Sequence, residues 1–341
     1  MATLYSDREG SGIFSGRNAI INGNFLSWQR GGSFNPVNPG VANTDYICDR
    51  WRAGENSDAT LRADLESSIK PNNTTYSLKL TVVTGDASLA SDQWGTLFQR
   101  IEGYNYLQFI GKTATLSFWV RSSVTGIYST AFRNNGFDRS YVAEYTIDNA
   151  NTWEYKTITL RFDYTGGTWN TTSGVGLDVM FSLGDGGDST TTPGQWASGN
   201  YIASTNQVNW MATAGNTFYL SNVQLELGSS ASPYELVDIG LNLLKVRRYY
   251  EAKYYYANSV CSSSAGYNYN MVSYNYKRVA PTVTNGGDLT IWTPVFGWYD
   301  ATNVLIGAYP DRMYFRFDDT VHTHVYGAAL VRGTFYMDAE L

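Results

Sequence analysis

The chain has 341 residues, 43% of them hydrophobic and 15% aromatic, which is enough apolar matter for packed cores and too much for a disordered polymer. Only 16% are charged and the net charge is -6, with no run of Lys and Arg to meet nucleic-acid phosphates, so nucleic acid is excluded as the expected partner. No stretch of about 18 apolar residues is present to cross a bilayer as a helix. Met1 to Glu9 lacks the basic and apolar regions of a signal peptide, so the expectation is synthesis in a cytoplasm, no general secretory route and no membrane insertion.

A surface this poor in charge is built from Ser, Thr, Asn, Gly and Tyr, the composition of a hydrogen-bonding β surface. Residues 1–18 are polar and Gly-rich and read as an arm. From 19 onward, short apolar runs alternate with turn signals. Ala19–Phe25 reads as a strand broken by Asn22-Gly23, and Leu78–Val83 alternates before Thr84-Gly-Asp. Leu97–Ile101 follows, then Thr113–Arg121, the strongest β run. Trp153–Phe162, Val175–Leu183 and Phe218–Leu227 complete the series. The slip at Ser221-Asn222 in the last run predicts a bulge. With no long helical period among them, these roughly seven or eight strands predict an antiparallel two-layer β-sandwich over 19–232. Gly184–Asn200 is polar and long enough to be a functional surface loop.

Ser232-Pro-Tyr-Glu235 has the form of a helix start, with a Ser cap, Pro at the first helical position and Glu three residues after the cap. Leu236, Ile239, Leu243, Val246 and Tyr250 then recur at steps of three and four, so a helix is expected over 233–251. Two readings stand for it: packing on its own sandwich, or lining an oligomer axis. Beyond it, 252–341 reads as a smaller β domain with strands near 253–260, 267–276, 289–298, 304–308, 312–317 and 325–337. Its tyrosines, crowded between Tyr249 and Tyr276, are too many to hide, and an interface suits them. Cys48 and Cys261 lie far apart and are expected to be buried thiols.

Asn18-Ala-Ile-Ile-Asn-Gly-Asn-Phe-Leu-Ser-Trp-Gln-Arg-Gly31, followed by Tyr46-Ile-Cys-Asp-Arg-Trp-Arg52, resembles the opening of a family of bacteriophage tail-fibre and receptor-binding proteins. In order, Thr113–Arg121, Trp153–Leu160, Gly194-Gln-Trp196, Val223-Gln-Leu-Glu-Leu-Gly228 and Ser232–Glu235 are similar to the same family. So are Arg248-Tyr-Tyr-Glu251, Ala280–Thr284 and Asp338–Leu341. The resemblance implies a jelly roll similar to carbohydrate-binding modules, a connecting helix, and a C-terminal β domain that makes a homotrimer. It implies a virion protein, docked to other virion proteins through the N-terminal arm and contacting a host cell-surface polysaccharide.

Sugar recognition uses flat aromatic faces beside hydrogen-bonding groups on loops. Trp169, Trp196 in the long loop, Trp210 near its exit and Tyr201 are the candidate rings; the alternative for each is that it plugs the core or an edge. Asp185-Gly-Gly-Asp188 offers too few carboxylates for the six or so oxygens of a calcium site and reads as an acidic turn. His322-Thr-His324 holds both histidines of the chain. On a strand they face one side, and three chains would aim six imidazoles at an axis, enough for an octahedral transition metal. This resembles the His-x-His iron sites of some trimeric phage fibres; the alternative is two histidines at a surface turn. No other cofactor is expected. Asp178, Glu226 and Glu144 lie in strands without a spacing that pairs them for glycoside hydrolysis, and no nucleophile elbow is present, so a non-catalytic protein is expected. A structural decoration or connector protein of a phage head or tail, and a polysaccharide depolymerase, are the alternatives.

Overall fold

In a computed structural model, residues 16–37, 44–163, 166–261, 267–293, 297–300, 304–318 and 327–341 are described. Two compact units divide at Ile239 and Gly240, with Leu341 grouped with the first.

The first unit is a sandwich of two antiparallel sheets. One runs, in spatial order, Ser33–Val37, Thr60–Glu66, Ser77–Thr84, Thr217–Leu227, Thr113–Ser122 and Glu154–Arg161. The other runs Trp196–Ala197, Ser140–Ile147, Gly126–Arg133, Val175–Asp185, Trp94–Glu102, Trp51–Asn56 and Thr44–Cys48. Neighbours in space are mostly not neighbours in sequence, the crossing order of a jelly roll. Alternation drives the packing. Leu116, Phe118 and Val120 point inward from one sheet, and Val179, Phe181 and Leu183 from the other; all are fully buried. Phe118 meets Phe181 edge-on at 5.0 Å, and Trp51 joins the layer against Phe25 at 5.1 Å.

The expected bulge is present. Pairing with Thr113–Ser122 shifts register between Ser221 and Gln224, and Asn222 takes φ +49°. The run Ala19–Phe25, expected as a strand, is instead a series of turns closed by side chains. Asn22, at φ +58°, donates to the carbonyls of Ser27 (2.9 Å) and Asp49 (3.0 Å) and accepts from Ser27 N (3.0 Å). Trp51 Nε1 donates to Asn22 O at 3.1 Å, and the Asp49 carboxylate accepts from Ser27 and Gln29. These side chains meet backbone groups that a strand would have paired with a ladder. The Asn-Gly and Asp-Arg-Trp motifs are thus two halves of one buried lock. Cys48 is a buried free thiol.

A second lock joins the entry and exit of the sandwich. Asn18 donates to Val223 O (3.0 Å) and accepts from Leu225 N (3.0 Å), while Glu235 accepts from the amides of Gly16 and Asn18. Glu235 N donates to Gln224 Oε1 at 2.8 Å. Those bonds explain why Ser232–Glu235 does not start a helix. The Ser232 hydroxyl is turned to Glu226 at 2.6 Å and the glutamate is spent on the N-terminal segment. The helix spans Ile239–Arg247, shorter than the 233–251 expected, and Tyr250 already opens a strand.

The second unit pairs Tyr250–Cys261 with Gly327–Asp338 along their whole length. Tyr267–Ser273, Arg312–Asp318 and Leu305–Ala308 form another small sheet. Val272, Ile291, Met313, Phe315, Val331, Phe335 and Met337 fill the core between them. Lys277, with no exposed surface, donates to Glu251 at 2.7 Å and to Arg247 O. Burial pushes the Lys277 ammonium below its ordinary range even so.

Asn22→Ala should lower stability by about 3 kcal/mol, the sum of an alanine in a left-handed conformation and orphaned groups at Ser27 and Asp49. Urea unfolding of the variant measures it; a loss below about 1 kcal/mol would show that the lock is not needed.

Candidate functional site

One corner of the sandwich gathers three loops that lie far apart in sequence. Asn134 ends the Gly126–Arg133 strand and is completely buried. Its Oδ1 accepts from the amides of Asp138 (3.2 Å) and Arg139 (3.1 Å), and its Nδ2 donates to Asp138 and to Thr168 O (3.1 Å). One amide therefore shapes the 134–139 turn and ties it to the 166–169 loop. The hydrogen bond from Asn134 also holds the Asp138 carboxyl below its usual range. The third loop is fastened by Gly194 N to Val142 O (2.8 Å), Gly199 N to Asp138 O (3.0 Å) and the Trp196–Tyr141 ladder pair.

This construction brings Trp169 and Trp196 together. Their rings stand nearly perpendicular, 87°, with centroids 5.6 Å apart, and both are half-buried. Trp169 stacks on Tyr106 at 4.9 Å, and Trp196 leans on Tyr141 at 5.4 Å and Phe162 at 6.1 Å. Burial raises the phenols of Tyr106 and Tyr141, so both stay neutral supports. Each indole N–H is already used, Trp169 on Gly166 O (2.7 Å) and Trp196 on Arg161 O (2.9 Å). What the rings offer a ligand is apolar face. The polar part comes from beside them: Arg139 bonds Asp163 Oδ2 (2.7 Å) and lies 3.4 Å from Ser198 Oγ. An indole corner edged by an Arg–Asp pair and a hydroxyl suits a ring that is apolar on its face and hydroxylated at its rim, as a sugar is.

The other candidates lie elsewhere. Trp210, on the turn Trp210–Ala212, has no exposed surface and packs edge-on against Phe218 at 6.1 Å; its ring belongs to the core and meets no ligand. A tryptophan beside a polar loop reads as exposed, but Asn209 and Asn216 bind the turn's backbone and fold the ring inward. Tyr201 sits on the outer face of the second sheet, against a patch of Phe98, Ala131, Val142, Met180 and Ile202 that the long loop covers. His322 and His324, with the threefold metal they would hold, lie outside the described residues. Sequence reading missed Tyr106, Tyr141, Arg139 and Asp163. The Asn134-Asn-Gly turn signal was available, but no local pattern links it to a loop 30 residues away.

The acidic turn is as expected. Asp185 Oδ1 accepts from Gly187 N at 2.8 Å and Asp188 accepts from Ser91 at 3.3 Å. Among the described residues, no group of three or more His, Cys, Asp and Glu side chains is placed to hold a metal ion. Asp178, Glu144 and Glu226 are engaged with Arg133 (2.8 Å), Asn206 (2.9 Å) and Ser232.

No protein-family model matches the chain, and no curated protein matches it in sequence. Solved structures similar to it include a putative sugar binding protein from Bacteroides thetaiotaomicron, with 13% identity over 62% of this chain and 100% of that one, TM-score 0.35. TmCBM61 in complex with beta-1,4-galactotriose is similar at 12% identity over 62% of this chain and 99% of that one, TM-score 0.31. The enzymatically active domain of bacteriophage CBA120 tailspike protein 4 is similar at 13% identity over 62% of this chain, TM-score 0.34, and the match spans 22% of that tailspike chain. The class the fold defines, an antiparallel jelly-roll sandwich followed by a small β unit, rests on the strand order given above.

Asp185 supplies a pH test. Burial raises its carboxyl to about 6 in the folded chain, against 3.8 ordinarily. The folded state therefore favours the protonated form, and that contribution is full below pH 3.8 and lost as pH rises through about 6. Asp185→Asn should match the parent near pH 4 and exceed its stability at pH 7 by about 1 kcal/mol, discounted for partial exposure. Urea titrations at the two pH values measure the difference.

Proposed function

We propose that this chain is a phage fibre protein, carried on the virion, that attaches the particle to a host cell-surface glycan through a homotrimeric, non-catalytic β scaffold. The observation that carries the reading is the perpendicular Trp169–Trp196 corner, edged by Arg139, Asp163 and Ser198, on a surface otherwise poor in charge. The ordered motifs from Asn18 to Leu341 that resemble phage tail-fibre and receptor-binding proteins support the virion setting. The proposed docking arm, expected over 1–18, is the segment ahead of Gly16, since Gly16 and Asn18 are tied into the sandwich.

Exposed apolar side chains around the helix support the homotrimer. Leu241 is 39% exposed and Leu244 55%, while Asn242 and Val246 are the helix's buried residues. Leu241 and Leu244, three residues apart, share one face of the helix, and further copies of the same chain suit such an exposed apolar pair. Trimerisation also gives the corner its strength. Three weak sites on one rigid particle bind a repetitive polysaccharide with an avidity that no single site reaches.

A glycan array probed with the full chain tests adhesion. A defined sugar class should bind, and the Trp169→Ala/Trp196→Ala pair should lose about tenfold or more while its far-UV dichroism at the assay temperature stays that of the parent. Silence on the array together with tight binding to a capsid or tail protein would favour the connector role. Release of reducing ends from host capsule would favour a depolymerase.

Light scattering should give three copies for the parent and one for Leu241→Glu/Leu244→Glu. A monomeric parent would remove the trimer.

A further inference from the structure

The outer face of the first sheet carries a second aromatic group, remote in sequence from the loop corner. In the ladder, Tyr155 lies opposite Trp119, and Trp119 opposite Ser221. One step along the same face, Tyr219 pairs with Arg121 on one side and Lys79 on the other. Alternation makes these two rows neighbours, about 7 Å apart along the strands, with cross-strand partners about 5 Å apart.

The side chains follow the register. Trp119 and Tyr155 meet at 5.3 Å, and Tyr155 is 44% exposed. Arg121 lies over the Tyr219 ring at 5.0 Å and Lys79 at 5.8 Å, with Trp153 edge-on to the same ring at 6.1 Å. Tyr219 is itself buried, so two cations are held side by side on an aromatic floor. The ring orients them without neutralising them. Asp64, opposite Lys79 in register, is bonded to Arg62 (2.8 Å) and Ser33 (2.7 Å). Neither Lys79 nor Arg121 makes a salt bridge among the described residues, and Arg121 Nε is turned to Asn151 O at 2.9 Å.

Farther along this face Thr115 bonds Gly228 O and Gln224 is tied to Ser232. The platform sets exposed Tyr155 and half-buried Trp119 beside two cations that make no salt bridge among the described residues, on a chain whose net charge is -6. Two adjacent aromatic rings match the span of one or two ligand rings. We propose that this platform binds an acidic saccharide unit of the uronic acid type. The sugar ring lies on Trp119 and Tyr155, and its carboxylate reaches Arg121 and Lys79 in the adjacent row. The site is separate from the Trp169–Trp196 corner, and the proposal does not depend on that reading.

Galacturonate and glucuronate oligomers, each beside its carboxyl-reduced neutral counterpart, are the probes, with calorimetry and tryptophan fluorescence on the full chain as readouts. The acidic oligomers should bind, more weakly at high salt, and carboxyl reduction should cost about tenfold or more. Lys79→Gln/Arg121→Gln, which keeps the stems, should remove the preference for the acid. Trp119→Ala should remove binding of both forms while the far-UV dichroism stays that of the parent. Trp169→Ala/Trp196→Ala should leave uronate binding unchanged, so failure of the corner is told apart from failure of this platform. No binding of any uronate oligomer, equal affinity for the reduced oligomers, or uronate binding that survives Trp119→Ala would each overturn the proposal.

Discussion

Buried amide and carboxylate side chains that take the place of a missing backbone ladder hold this molecule in shape. Two sheets packed face to face bury their inner residues without difficulty, but a jelly roll must cross between sheets many times, and each crossing strands N–H and C=O groups near the core. With few charges and little helix available, the chain meets those groups with Asn, Asp, Glu and Gln. Asn22 and Asp49 close the opening turns, and Asn18, Glu235 and Gln224 close entry against exit. Asn134 closes the corner. In a low-dielectric setting such bonds are costly to leave half-made, so each network fixes one geometry.

That constraint links fold to function. The sequence around Asn18–Gly31 and Asp49–Trp51 has the look of a signature, and its chemistry is structural: the residues bind one another and the first core tryptophan. The loop corner depends on the same device. Trp169 and Trp196 come from loops with no shared pattern, and a single buried asparagine with a few backbone bonds sets them at right angles. Their N–H groups are consumed by the scaffold, so the rings are held rigidly before any ligand arrives, which lowers the ordering cost of weak binding.

The two aromatic groups of the sandwich differ in kind. The corner is assembled from loops and is edged by a balanced Arg–Asp pair. The platform is written into the pleat of a sheet, where register alone puts Trp119 beside Tyr155 and Arg121 beside Tyr219. A loop site tolerates change by substitution of one loop, whereas a sheet site moves only if the ladder does.

Period and composition by themselves determined the layered β architecture, the bulge in Thr217–Leu227, the acidic turn and the break between a sandwich and a Tyr-rich second unit, because alternation and turn chemistry act over a few residues. Ala19–Phe25 and Ser232–Glu235 carried local signals for a strand and a helix start that tertiary bonds overrode. Asn22, Gln224 and Glu235 found distant partners stronger than the local ones. Whether a tryptophan on a polar loop faces water or core was likewise decided by the fold. Trp210 and Trp196 sit in similar surroundings in sequence, yet one fills the core and the other frames a corner, since burial depends on which strands close over a loop.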